Sequence, residues 1–450
     1  MFNFQKLQTK LRNIHFLSLA GNGIMSILGM VTLAILYRYL PINEIGIYVF
    51  FQSILILFDS FRSGFLTTAF IKFYSGTSKE RGSEVVGSTW QLGLAITFGF
   101  ILLNIIALPI LNFVQNAGLA LFMKWFGITY LFTLPTFIAT CVLQADERFD
   151  KLLLIRFVNQ TLFIIMVIVL IISGKINLNY VIYANLLASL ITSLLALFTG
   201  WSKIKCFLNR TNACFLELFH FGKYVVGTAF SANLFRSSDT FIINFMLGPS
   251  ALAIYNIGLR LMEVVEIPLR SFAATGMPAI SKAFNTGNKN EVIVIMRKYI
   301  GMLTVALVPM VLITVAFADL AIIIIGGQKY YGTEAANVFR LFMTFALLYP
   351  ADRFMALTID VTNRPRINFL KVLVMVVVNV IADFAGIYIF GNVYGIAIAS
   401  VFPTLIAVIV GYLALQSYSP FSFPAIYTSG YADLRLLISE SLKREKTAAA

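Results

Sequence analysis

Seven basic side chains lie in stretches that otherwise carry almost no charge: Arg62, Lys124, Arg236, Arg260, Arg270, Arg340 and Arg353. Acids accompany them at Asp59, Asp239, Glu263, Glu266 and Asp352. A charge surrounded by hydrocarbon is costly unless it is paired or wetted, so each of these residues is a candidate for function. Arginine offers a planar fork of donors that suits phosphate oxygens, so arginines at several depths fit an anionic headgroup that has to leave water.

Spacing refines this. Asp59 and Arg62 are i,i+3 neighbours, as are Arg236 and Asp239, so each pair can neutralise itself across one helical turn. At roughly 100° per residue, Arg260, Glu263, Glu266 and Arg270 fall within about a third of a helix circumference and form one polar stripe. Helical rise puts Arg236 and Arg260 near mid-depth and Arg340 and Lys124 nearer the outer face. Asp59/Arg62, Glu266/Arg270 and Asp352/Arg353 then lie nearer the cytoplasm. Two roles stay open. Either the cations bind substrate, with Asp59, Asp239, Glu263 and Glu266 pairing with them or carrying a coupling proton or sodium ion, or the charges are structural pairs that lock helices together. Charges near helix ends can snorkel to the headgroups; Arg236 and Arg260 are too deep to do so easily, which favours substrate.

The elements that position these groups follow from composition. Of 450 residues, 59% are hydrophobic and 12% charged, a balance one soluble core cannot absorb. Apolar stretches of roughly 20 residues or more, the length needed to span a bilayer, run from Ile14 to Leu36, Ile45 to Phe70, Val86 to Phe113, Ala117 to Leu143, Leu152 to Ser173 and Tyr180 to Thr199. After a polar connection through Lys203, Lys205 and Arg210 come Tyr224 to Leu247, Leu252 to Ser281, Ile300 to Ile325, Ala335 to Thr358, Phe369 to Phe390 and Tyr394 to Leu415. The run from Leu162 to Ile172 does not alternate, which excludes a β-barrel. The first run is long and lacks a small-residue cleavage pattern, so it is expected to be retained as a helix. The expected fold is an all-α integral membrane protein with twelve transmembrane helices and both termini cytoplasmic.

The net charge of +14 is topological. Of the 34 Lys and Arg, 24 fall on the amino-terminal side of the first stretch, in the even-numbered connections and in the tail, and three in the odd-numbered connections. That asymmetry is the positive-inside pattern. It points to membrane phospholipids as partners, and nucleic acid is not expected.

A shift of 207 residues lays Leu40 to Tyr48 on Leu247 to Tyr255 and Glu84-Val85 on Glu291-Val292; a shift of 208 lays Arg62-Ser63 on Arg270-Ser271. These matches indicate an internal repeat. Residues 1–206 and 207–416 are expected to form two six-helix bundles related by a pseudo-two-fold axis along the membrane normal, with 417–450 as a cytoplasmic tail.

From Arg236-Ser-Ser-Asp239 through Leu247-Gly248 and Tyr255 to Arg260, the chain resembles the polysaccharide (Wzx-type) flippases of the multidrug/oligosaccharidyl-lipid/polysaccharide exporter superfamily. Arg38 to Tyr48 and on to Gly64 look like the amino-terminal counterpart, and Asn379, Gly391, Gly395 and Ala399-Ser400 match the closing helices of that family. The resemblance implies two bundles that rock between inward-open and outward-open states in the bacterial inner membrane. It further implies transfer of a polyprenyl-pyrophosphate-linked oligosaccharide to the outer leaflet, for lipopolysaccharide O-antigen or a similar polysaccharide. Polymerase or glycosyltransferase partners would follow.

Other classes find less support. No phosphate-binding G-x-x-x-x-G-K-[ST] loop is present, and the two histidines, His15 and His220, lie far from any acid or cysteine cluster with ligand spacing. Neither a metal nor another cofactor is therefore expected. A cation-coupled multidrug antiporter would want an acidic cavity, and an enzyme of polysaccharide assembly would want a large extramembrane loop. The first of these is the nearer alternative to a flippase.

Overall fold

The computed structural model describes residues 14–427, in which helices are joined by short turns and connections, with no strand among the described residues. The helices are α1 Ile14–Tyr39, α2 Ile42–Tyr74, α3 Lys79–Ala107, α4 Ala117–Ala145, α5 Phe149–Ile172, α6 Leu178–Phe198, α7 Asn212–Met246, α8 Pro249–Leu261, α9 Glu263–Asn285, α10 Lys289–Gly326, α11 Ala335–Phe345, α12 Tyr349–Val361, α13 Pro365–Phe390, α14 Val393–Ala399 and α15 Val401–Gln416. Eight helical segments among the described residues are long and apolar enough to cross a membrane. Two expected crossings are broken instead, at Met262 between α8 and α9 and at the 3-10 turn Ala346–Leu348 between α11 and α12.

Polar side chains begin many of the helices. Asn116 accepts from Leu119 N–H at 3.0 Å, Asn177 from Tyr180 at 3.0 Å and Asn288 from Glu291 at 3.1 Å. Each closes one of the donors that a helix start leaves without an intrahelical acceptor.

Burial follows membrane logic. On α13 the apolar Phe369, Leu373, Val377, Ile381 and Phe384 face outward, whereas Lys371, Asn379 and Asp383 are buried. Lipid solvates the first set, and protein partners must satisfy the second.

Two compact units divide the chain, Met1–Ser250 and Ala251–Ala450. In the first, α7 packs along α2, where a Cβ on Gly64 would stand 2.7 Å from the Val226 Cα, so only glycine fits. Phe65 stacks on Phe219 at 5.2 Å, and Asn233 Nδ2 donates to Ser60 Oγ at 2.8 Å. Compactness therefore assigns α7 to the first unit.

In the second unit, Leu269 and Ala273 of α9 share a core with Met296 of α10, Phe354 and Met355 of α12, and Val408 of α15. The turn into α14 needs glycine at its contact point: a Cβ on Gly395 would meet the Gly386 carbonyl oxygen at 2.1 Å. Of the expected tail, residues 417–427 pack back on this unit. Phe421 and Ile426 are buried, and Arg297 donates to Ala425 O at 2.9 Å. Residues 1–13 and 428–450 lie outside the described residues.

Candidate functional site

The membrane-embedded cations fall into three groups by what their donors meet. Arg62 and Arg340 are held by protein on several sides. The Arg62 side chain is 7% exposed; it pairs with Asp59 at 2.7 Å, donates to Thr133 Oγ1 at 2.9 Å and lies 4.3 Å from the Phe137 ring centroid. This set ties α2 to α4.

Arg340 does comparable work at a kink. Phe317 leaves the helical region inside α10, at φ −109° and ψ 18°, which disturbs the carbonyl ladder there. Arg340 Nε donates to the Val315 carbonyl at 3.0 Å, its Nη1 donates to Asn337 at 2.6 Å, and its Nη2 pairs with Asp319. Asp319 escaped the sequence reading, because a lone acid near a helix end gives no spacing signal. Arg340→Ala leaves the Val315 carbonyl without this donor. It is expected to cost about 1–3 kcal/mol, measured as a lower midpoint of thermal unfolding in detergent.

Arg260 and Arg270 form the second group. Arg260 reaches Glu263 at 3.2 Å across the break at Met262, and Arg270 pairs with Glu266. The break at Met262 separates Arg260 from the other three charges expected on one stripe, and the four pair two by two. The arginine side chains stay accessible, 42% for Arg260 and 61% for Arg270. Exposed pairs of this kind are worth about 0–1 kcal/mol, so an incoming anion can displace the carboxylates cheaply.

Arg236, Arg353 and Lys124 form the third group, exposed and without an ion pair among the described residues. Arg236 does not pair with Asp239 as its spacing suggested. Asp239 instead accepts from Ser238 Oγ at 3.3 Å. The Arg236 side chain stands exposed, beyond that contact. Lys124 lies over the Trp125 ring at 5.3 Å.

Two further features were not anticipated. Lys371, which its position placed among the connection charges, is buried and pairs with Asp352 at 2.8 Å. Fully buried Asp383 accepts from Asn379 Nδ2 at 3.0 Å. Positions 371, 379 and 383 share one helical face, and a search for polar residues at i,i+4 and i,i+8 inside an apolar run would have found them.

Outside the spanning segments, Lys203 donates to Tyr74 Oη and pairs with Asp146 at 2.8 Å. Burial pulls its pKa down, but the hydrogen bonds to Asp146 and Tyr74 outweigh this and leave it above the usual lysine value. The contact contributes stability at neutral pH that is lost only as pH rises past the ordinary lysine range.

No curated protein matches the chain. Solved structures do resemble it. An inward-facing multidrug resistance MATE family transporter of the MOP superfamily superposes with a TM-score of 0.71 at 14% identity, over 88% of this chain and 96% of that one. The lipid II flippase MurJ, in an inward closed conformation, gives 0.69 at 14% identity, over 94% and 92%. A MOP superfamily transporter from Pyrococcus furiosus, described by a reversed polarity of its binding pocket, gives 0.57 at 16% identity, over 89% and 95%. At these identities the likeness establishes the fold, an all-helical membrane transporter fold. The profile of the family described as "Polysaccharide biosynthesis protein" matches residues 35–334, more than half of the chain. This multi-pass membrane protein therefore belongs to the polysaccharide biosynthesis protein family and has the fold of the MOP superfamily transporters.

Proposed function

We propose that the chain is a flippase that carries a polyprenyl-pyrophosphate-linked oligosaccharide from the cytoplasmic to the outer leaflet by alternating access. It works in the bacterial inner membrane with both termini cytoplasmic and with the repeat halves 1–206 and 207–416 as its moving parts. The observation that carries this reading is the accessible Arg260–Glu263 and Arg270–Glu266 pairing in a membrane protein of a polysaccharide biosynthesis family. The lipid II flippase of like fold supports a lipid-borne cargo.

In this reading Glu263 and Glu266 act as internal counterions that keep the empty arginines positioned. Pyrophosphate, with more negative charge and an oxygen array that fits two guanidinium forks, displaces them. Arg353 in the second unit and Arg236 in the first, each accessible and without an acidic partner among the described residues, are further cations offered to the cargo. Arg62 and Arg340 hold helices in place. Asp239 carries the coupling proton or sodium ion in this reading. A MATE-like drug antiporter is the competing reading, and the accessible cations weigh against it because a cationic drug would be repelled. The test is loss of function in cells: deletion should stop cell-surface polysaccharide while lipid-linked precursor accumulates inside. Normal surface polysaccharide with altered drug resistance would favour the antiporter.

A further inference from the structure

Within the first unit, a cavity of about 230 Å³ opens among α1, α4, α5 and α6, lined by Thr133, Thr136, Arg156, Asn159, Gln160 and Ser189. It holds one cation and no acid among its lining residues. Arg156, an exposed side chain, makes no hydrogen bond or ion pair among the described residues. Its position suggested a charge of the preceding connection. At about 1.5 Å per residue, however, Arg156 stands about 10 Å inside α5 and Ser189 about 14 Å inside α6, counted from the same end of the bundle.

Pro135 lies in α4 between the lining residues Thr133 and Thr136 and removes a donor from the helical ladder there. One turn of the ladder there is rebuilt by α6: Ser193 Oγ donates to the Phe132 carbonyl, accepts weakly from Thr136 N–H at 3.4 Å and sits 2.7 Å from Thr136 Oγ1. The Asn159 and Gln160 amides are fixed from behind, by Thr192 at 3.3 Å and by Thr32. Both residues line the cavity, and among the described residues their side-chain oxygens accept no hydrogen bond. Ser189 is 8% exposed, and its hydroxyl has no protein partner among the described residues. The site thus offers a bidentate cationic fork beside neutral donors and acceptors.

We propose that this cavity binds a phosphorylated sugar, with Arg156 on the phosphate and Asn159, Gln160 and Ser189 on the ring hydroxyls. A bare anion would leave the amide oxygens facing negative charge, and a neutral sugar would leave Arg156 unmatched. The volume lies below the range of about 300–1,000 Å³ usual for drug-sized ligands, which fits one phosphorylated ring. The inference rests on the proposed transport of a glycolipid headgroup, for which the cavity would be a subsite.

The test is a binding titration of the full chain in nanodiscs with galactose 1-phosphate, galactose, inorganic phosphate, and galactose phosphate carried on a short prenyl chain. Galactose 1-phosphate or its prenyl form should bind at least tenfold more tightly than galactose or phosphate, with the tighter of the two identifying a soluble or a lipid-borne source. Arg156→Gln should weaken that binding at least tenfold, Ser189→Leu should fill the cavity and abolish it, and Lys175→Gln, on an exposed connection, should leave it unchanged. Either cavity variant suffices provided it elutes as a folded protein. Equal binding of inorganic phosphate, or unchanged binding in the folded cavity variants, would overturn the proposal. Leaflet exchange is measured separately, so a flippase without this subsite, and a subsite in a protein that flips nothing, give different results.

Discussion

Asp352→Ala is expected to lower the stability of the detergent-solubilised protein by about 3–5 kcal/mol, the range for stranding one partner of a buried ion pair. Lys371 is 3% exposed, and Asp352 at 2.8 Å is its ionic partner. Without that carboxylate an ammonium group remains enclosed between α12 and α13 with its charge uncompensated. Lys371→Met should behave differently, because a side chain of similar volume without charge removes the demand for Asp352; buried pairs replaced by apolar groups are often neutral or better. The double variant Asp352→Ala/Lys371→Met should therefore recover most of the stability lost in Asp352→Ala. Thermal unfolding of the four proteins forms a double-mutant cycle. Equal, additive losses in the two single variants would show that the pair is not the source of the effect.

Arg236→Ala and Arg260→Ala are each expected to abolish polysaccharide export while the protein still folds and reaches the membrane. Arg236 has no ion pair to lose among the described residues, and Arg260 loses only a half-exposed contact with Glu263, worth about 0–1 kcal/mol. Stability should thus stay near that of the parent. Arg260→Lys should retain partial export, since lysine keeps the charge but not the bidentate fork. Normal surface polysaccharide in both alanine variants would refute a role for these arginines in cargo binding.

The membrane class, the helical fold and the polysaccharide biosynthesis family were legible in the sequence because they depend on run length and on glycine placement. The Gly386–Gly395 contact shows why: where two backbones touch, only one residue type fits, and it leaves a mark. The i,i+3 and i,i+4 pairs were also legible at Arg62, Arg260 and Arg270, since helical geometry alone brings such partners together. Partners from different helices were not. Asp319 reaches Arg340, and Asp352 reaches Lys371, only because of how α10 to α13 pack. Arg236 shows the converse. Correct spacing to Asp239 did not make a pair, because an arginine side chain can extend away from its turn as readily as along it. Arg156 was hidden by its nearness to a basic connection, which made a cavity residue look like one more inside-facing charge.

The central claim, transfer of a lipid-linked sugar between leaflets, is met most directly in liposomes. The purified chain is reconstituted with a fluorescent polyprenyl-pyrophosphate oligosaccharide, and leaflet exchange is followed by a quencher that cannot cross the bilayer. Exchange should be fast with the parent protein, and with Arg260→Ala it should fall to the rate of protein-free liposomes. No exchange above that background with the folded parent protein, or turnover of a sugar donor in its place, would contradict the account.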